Sequence, residues 1–440
     1  LKLEKNVMAY VKENLASFKE DAIEVDKAVS LSGAVYKGAP VPYLYIPRIF
    51  DKADWESFNS AINQMMSLSK HVIALYMEQP EIRALYDFDK RLDELIRLPH
   101  GYDTVIPMGR FDIFYYGDGA YQFCELNADG ASAMNEEKEL SQILKNTKAM
   151  TSFDFEKMPE ACELFESWVD AVREIYTDYC LKKGLALEDR ATFTVGIVDI
   201  LEKGSPLEFE VFKEAFEKKG ITCRIVDART LTYSEGKLKD GEHTLDVVYR
   251  RLVTKDLMDA YDDLGAFITA LKEDAACVIG PIKTQIIHTK RFFEVLYSDV
   301  LRPYLSEDEI SFIKAHVPFT APLTAKEAYL ADKDDYIIKP VDYYASKGVC
   351  AGRDYSDSDW GKLLSDKYNG GYVIQRYCPY ALVENVVLEE GELVVDTFRH
   401  ITGLFVYNET LVGAYSRAGR NAIISGLHDG FTLSSLFIKE

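Results

Sequence analysis

The chain has no C-x-x-C pair, no H-x-x-x-H pair and no G-x-G-x-x-G following a candidate strand. No apolar run approaches the ~18 residues that a membrane-spanning helix needs. Each absence removes a class. The seven cysteines, at 124, 162, 180, 223, 277, 350 and 378, form no zinc framework and read as reduced thiols, so a cytoplasmic location is expected. Seven histidines lie scattered, and none has a partner spacing that would make it catalytic. Without the glycine fingerprint, a dinucleotide site is disfavoured. Basic residues are also scarce: 51 Lys and Arg against 72 Asp and Glu leave a net charge of −21. That balance argues against nucleic-acid and anionic-membrane partners, which require basic patches. It leaves room for a cationic small molecule such as a polyamine. The first eighteen residues, LKLEKNVMAYVKENLASF, spread their charges evenly, so no secretory leader is expected in them. Oligomeric state is not legible.

What the chain does have is material for a core. Of 440 residues, 48% are hydrophobic, with 28 Tyr and 23 Phe. The periodicity predicts four regions of a mixed α/β protein, α+β in its later part. Residues 1–104 read as helical, with Asp51 as an N-cap and Phe58, Ile62, Met65, Val72 and Tyr76 at helical spacing. Residues 105–190 hold a hairpin followed by helices. Residues 191–280 alternate strand and helix, as a small parallel α/β unit does. Residues 281–440 start with a helix over QIIHTKRFFEVLYSDVL and become largely antiparallel strands from 336 onward.

The hairpin carries the first chemical signal. FDIFYY and AYQFCELN flank Gly117-Asp118-Gly119, and Asp-Gly is favoured at two-residue hairpin turns because both positions need positive φ. Counting outward from that turn sets Asp112 opposite Glu125 and Arg110 opposite Asn127. Side chains two apart share a face, so these four polar residues face one way. Phe111, Ile113, Cys124 and Leu126 are expected on the other. Two facing carboxylates repel and require a counter-charge. A hard divalent cation with oxygen ligands would serve, and so would a solvated face with Arg110 as counter-ion.

Lysines supply the second. DDYIIKPVDYYASKGVCAG ends an apolar strand with Lys339, and the following loop brings Ser346, Lys347 and Gly348, small and basic enough to close over phosphate. GYVIQRYCPY is a further apolar strand, ending in Gln375, whose carboxamide suits the edge of a purine. Lys290 starts a helix in HTKRFFEVL. Taken singly, each lysine is as readily a surface charge.

The ordered set R-x-D, E-x-N, TKRF, YIIKP and the late G-x-Y-x-R of GAYSR resembles the synthetase domain of glutathionylspermidine synthase and, more broadly, the circularly permuted ATP-grasp ligases. The resemblance runs from about residue 109 to about residue 420, loosely through 150–250. It implies an ATP-grasp-like fold with a Rossmann-like pre-ATP-grasp unit at 191–280. The implied activity is an ATP-dependent carboxylate–amine ligase using Mg²⁺, with Mn²⁺ as the alternative. On that resemblance Asp112, Glu125 and Asn127 hold the metal. Lys290 and Lys339 contact ATP phosphates, with Ser346, Lys347 and Gly348 covering them. Gln375 and Tyr377 line the adenine pocket, and Arg110 and Arg417 stabilise the transferring phosphoryl group. The partners are a small carboxylate and an amine, a peptide or polyamine among them. The loop after Lys339 departs from the family in its bulky Asp342-Tyr343-Tyr344. ADGASAMNE also replaces a Thr-rich stretch after Asn127, and Ser132 within it reads as a turn residue. A degenerate ATP-binding protein and a small-molecule kinase without amine transfer are the competing expectations.

Overall fold

The structure, a computed structural model, describes residues 2–36, 38–185, 192–324, 329, 332–341, 347–368, 370–424 and 430–438. Its mixed α/β architecture matches the expectation from periodicity. Helix α1 (Lys52–Glu78) starts at Asp51, which accepts from the amide of Asp54 while Asp54 returns the bond, a reciprocal cap. Its apolar stripe, including Phe58, Ile62, Met65 and Val72, lies in the main core with Phe111, Ile113, Phe123 and Leu126. Those four come from β1 (Met108–Gly117) and β2 (Ala120–Asn127). Helix α2 (Met134–Leu144) follows, then α3 (Glu166–Lys182), which buries Trp168, Val172, Ile175 and Tyr179.

The parallel unit is built from β3 (Thr194–Asp199), α4 (Pro206–Lys218), β4 (Thr222–Asp227), β5 (Val247–Arg250) and β6 (Cys277–Ile279). Its strand order is β6-β5-β3-β4. After it the chain forms α5 (Gln285–His288) and α6 (Arg291–Leu296). The single helix expected over this stretch is therefore broken at Thr289-Lys290. Thr289 adopts an extended φ/ψ, and the Lys290 amide bonds Val341 O instead of a helical carbonyl.

Two antiparallel sheets carry the remaining site residues. A four-stranded sheet has the order β7 (Thr320–Pro322), β10 (Tyr372–Arg376), β8 (Tyr336–Pro340), β9 (Cys350–Ala351). Helix α7 (Asp357–Lys367) packs on it through Trp360 and Leu364, which share a separate small core with Leu323, Ile338 and Ile374. This lobe thus has its own hydrophobic centre. The larger sheet joins β11 (Leu382–Glu389), β12 (Glu392–Tyr407), β13 (Thr410–Gly419) and β14 (Gly430–Leu433) to the hairpin, in the order β14-β13-β12-β1-β2 with β11 beside β12. Strand β12 pairs with β1 through Gly403↔Asp112 and Phe405↔Arg110, and with β13 through Gly403↔Tyr415 and Ile401↔Arg417. Distant parts of the chain thereby set Arg110, Asp112, Tyr415 and Arg417 on one sheet face. Among the described residues no helix is long and apolar enough to cross a membrane.

Candidate active site

Asp118 and Gly119 both have positive φ, 50° and 77°, the conformation for which an Asp-Gly turn is suited. Gly117 pairs with Ala120, Asp112 with Glu125 and Arg110 with Asn127. Between these pairs the register slips once and slips back, so that Tyr115 faces Tyr121 and Ile113 faces Phe123. The two irregularities cancel. The one between Asp112 and Ile113, farther from the turn, corrects the expected position of Cys124. A bulge breaks strict alternation, so Cys124 joins Glu125 on the cavity side, while Phe123 and Leu126 remain in the core under α1.

One cavity gathers Glu125 from β2, Lys290 from the α5–α6 break, Lys339 from β8, Gln375 and Tyr377 from the end of β10, and Arg417 from β13. Apolar walls come from Phe114, Ile337, Val349, Ile401 and Ile424. Lys339 is only 7% exposed, and its Nζ donates to Cys124 O at 3.4 Å. Lys290 Nζ lies 3.8 Å from Glu125 Oε2. Gln375 donates to Thr320 Oγ1 at 2.9 Å across the β7–β10 pair. The Arg353 guanidinium stacks 3.6 Å above the Tyr377 ring. The enclosed space is about 60 Å³, room for a few waters, whereas small-molecule pockets run to roughly 300–1,000 Å³.

Asp112 stands immediately behind this cavity and is fully buried. Arg110 Nε reaches its Oδ1 at 2.8 Å, and Arg417 Nη2 reaches its Oδ2 at 2.6 Å. Gly403 makes the arrangement possible by its size. A Cβ there would lie 2.6 Å from Asp112 Oδ1 and 2.7 Å from Arg110 Cδ. Burial works against the charge on Arg110, but Asp112 more than offsets it and raises its pKa. Burial likewise opposes ionisation of Glu125, yet Lys290, Lys339, Arg417 and Arg110 together pull its carboxyl down to about 2. Glu125 is therefore the anion of a site with an excess of positive charge. Burial keeps the Cys124 and Cys378 thiols at about 11 and about 12, so neither offers a thiolate nucleophile at neutral pH.

The other expected site residues are placed as follows. Asn127 shares the face with Arg110, and its Nδ2 is buried without a partner. Lys347 and Gly348 are exposed and the cavity wall here comes from Val349 instead. Ser346, with Asp342-Tyr343-Tyr344, lies outside the described residues. Among the described residues, no three His, Cys, Asp or Glu side chains form a ready cation cluster. The donor chemistry does fit a hard divalent cation. Glu125 and Asn127 present oxygen donors on one face, and Asp112 would join them by exchanging an arginine contact. Sequence reasoning passed over Gly403, Cys378 and Tyr380. Only Gly403 had a local signal, a glycine inside a strand, which marks a close approach.

No family model and no curated protein matches the chain. Among solved structures, that of D-cycloserine synthetase DcsG resembles 56% of this chain and 92% of its own, at 14% identity and a TM-score of 0.24. A superposition of that quality says nothing about the chemistry of this chain.

Proposed function

We propose that this protein is an ATP-dependent carboxylate–amine ligase of the ATP-grasp kind, working through an acyl phosphate. The supporting observation is one cavity lined by Glu125, by Lys290, Lys339 and Arg417, which act on its charge, and by Gln375 and Tyr377. A carboxylate does not condense with an amine in water because hydroxide leaves poorly. Attack of the carboxylate oxygen on the γ-phosphorus of ATP releases ADP and gives an acyl phosphate. The amine nitrogen then attacks the carbonyl carbon and inorganic phosphate departs. Phosphoryl transfer of this kind is catalysed by positioning and by fixed positive charge. Lys290 and Lys339 bind the phosphate oxygens, and Arg417 with Arg110 stabilises the charge that develops on the transferring group. Glu125 and Asn127, with Asp112 behind them, would hold Mg²⁺, which would neutralise phosphate charge. Gln375 and Tyr377 take the base. The seven cysteines are all free thiols, in keeping with a reducing, cytoplasmic setting.

The test is ADP release from MgATP with a panel of amino acids, short peptides and polyamines. We expect release that requires both an acid and an amine, and its loss in Lys339→Ala. ADP released with acid alone identifies a kinase. ATP bound across the whole panel with no ADP formed identifies a nucleotide-binding protein without turnover.

A further inference from the structure

A larger space lies outside the nucleotide cavity, between helices α2 and α4. It holds about 450 Å³, within the range of small-molecule pockets, and shares no lining residue with the cavity around Glu125. The two helices are tied together where they begin. Glu208 in the first turn of α4 accepts from the amides of Met134 and Asn135 in the first turn of α2, at 2.9 and 3.2 Å. Beyond that tie they border a groove. Helix α2 with its C-cap lines it through Lys138, Ser141, Gln142 and Lys145, and α4 lines it through Val211, Glu214, Ala215 and Lys218. Each set follows the i, i+3, i+4, i+7 spacing of one helix face, so one continuous face of each helix adjoins the same space.

Most charges around the groove are matched locally. Lys138 Nζ donates to Glu139 Oε1 at 2.9 Å, and Lys218 pairs with Glu166. Glu163 uses both carboxylate oxygens on the amides of Phe165, Glu166 and Ser167, at 2.7–2.8 Å. Two charges are not matched. Among the described residues, neither the half-buried Lys145 nor the exposed Glu214 has a side-chain hydrogen bond or an ion pair. They stand on different helices of one groove, one positive and one negative. Leu164 and Phe165, both almost fully buried, and Ala215 add apolar surface. One cation, one anion and apolar surface together complement a zwitterion with an apolar body. A nucleotide or a polyamine, with charge of one sign, would set like charges against one of the two.

We propose that the groove between α2 and α4 binds an apolar α-amino acid, free or as a short peptide with both ends charged. Its carboxylate pairs with Lys145, its ammonium with Glu214, and its side chain lies against Leu164, Phe165 and Ala215. The site does not depend on the ligase reading. It does adjoin the helix that leads from the candidate active site: Ser132 O, just before α2, accepts from Arg110 Nη1 at 2.8 Å. A ligand bridging α2 and α4 therefore grips the helix that begins at that contact.

Isothermal titration calorimetry of the full chain without nucleotide tests this, using leucine, leucyl-leucine, N-acetyl-leucine and leucine amide. Leucine or leucyl-leucine is expected to bind saturably, and the tighter of the two tells a free amino acid from a peptide. N-acetyl-leucine lacks the ammonium and leucine amide lacks the carboxylate, so each should bind at least about tenfold more weakly, the effect of losing a hydrogen bond to a charged group. Lys145→Ala and Glu214→Ala should weaken the zwitterion by a similar factor. Their melting temperatures should match wild type, since neither side chain has a partner to lose. Lys339→Ala, in the nucleotide cavity, should bind as wild type does. No saturable binding of either zwitterion at about 10 mM, or equal binding of all four compounds, would overturn the assignment. So would binding that survives in Lys145→Ala and Glu214→Ala but is lost in Lys339→Ala, which places the amino acid in the nucleotide cavity instead.

Discussion

Replacing Glu125 by Gln isolates the electrostatics of the cavity. The substitution keeps the shape and removes the carboxylate that offsets Lys290 and Lys339, while Asp112 stays bound to Arg110 and Arg417. In the folded chain the carboxyl is held at about 2, against an ordinary 4.5. At neutral pH the ionised form therefore favours folding over a neutral isostere by about 3 kcal/mol. The side chain keeps 29% of its surface in solvent, which makes this an upper figure. The sign follows from a depressed acid: the contribution is complete above the unfolded pKa near 4.5 and disappears as pH falls through the folded value near 2. The difference between wild type and Glu125→Gln should therefore shrink from about 3 kcal/mol at pH 7 to about 1 kcal/mol at pH 3. Urea denaturation followed by tryptophan fluorescence at several pH values measures it. A difference below about 1 kcal/mol at pH 7 would refute the reasoning, as would one that grows towards low pH.

Two more substitutions probe the shell behind Glu125. Gly403→Ala places a methyl group against Asp112 and Arg110 and should cost about 1–3 kcal/mol by overpacking, with ADP release lost; a variant as stable and active as wild type means that these side chains are not held as described. Asp112→Asn leaves Arg110 and Arg417 facing each other without their shared anion, and breaking a buried pair of this kind costs about 3–5 kcal/mol. The expected outcome is thus a destabilised protein as well as an inactive one, readable from urea midpoints beside the ADP assay, and full stability would count against the buried ion triad.

The hairpin shows how far sequence carried and where it stopped. The Asp118-Gly119 turn has a chemical signature, so the outer pairs Asp112–Glu125 and Arg110–Asn127 followed from counting. The two slips between them have no such signature, and only their cancellation preserved the outer register. Cys124 was misplaced for that reason. The apolar strands ending in Lys339 and Gln375 were legible because a polar residue closing a buried run needs a partner. The break at Thr289-Lys290 was not, because the Lys290 amide finds its acceptor in Val341, a tertiary contact. Burial of Asp112 depends on β12 and β13, with Arg417 lying 305 residues further along the chain, and no local pattern announces it.

A cleft with space for only a few waters has a kinetic consequence. On the proposed function, nucleotide binding requires this cleft to widen, and a swing of the lobe built on Trp360 and Ile374, which has its own small core, would widen it. Association should therefore level off at high ATP concentration, at the rate of that swing, and apparent affinity should fall in proportion to how seldom the gate stands open.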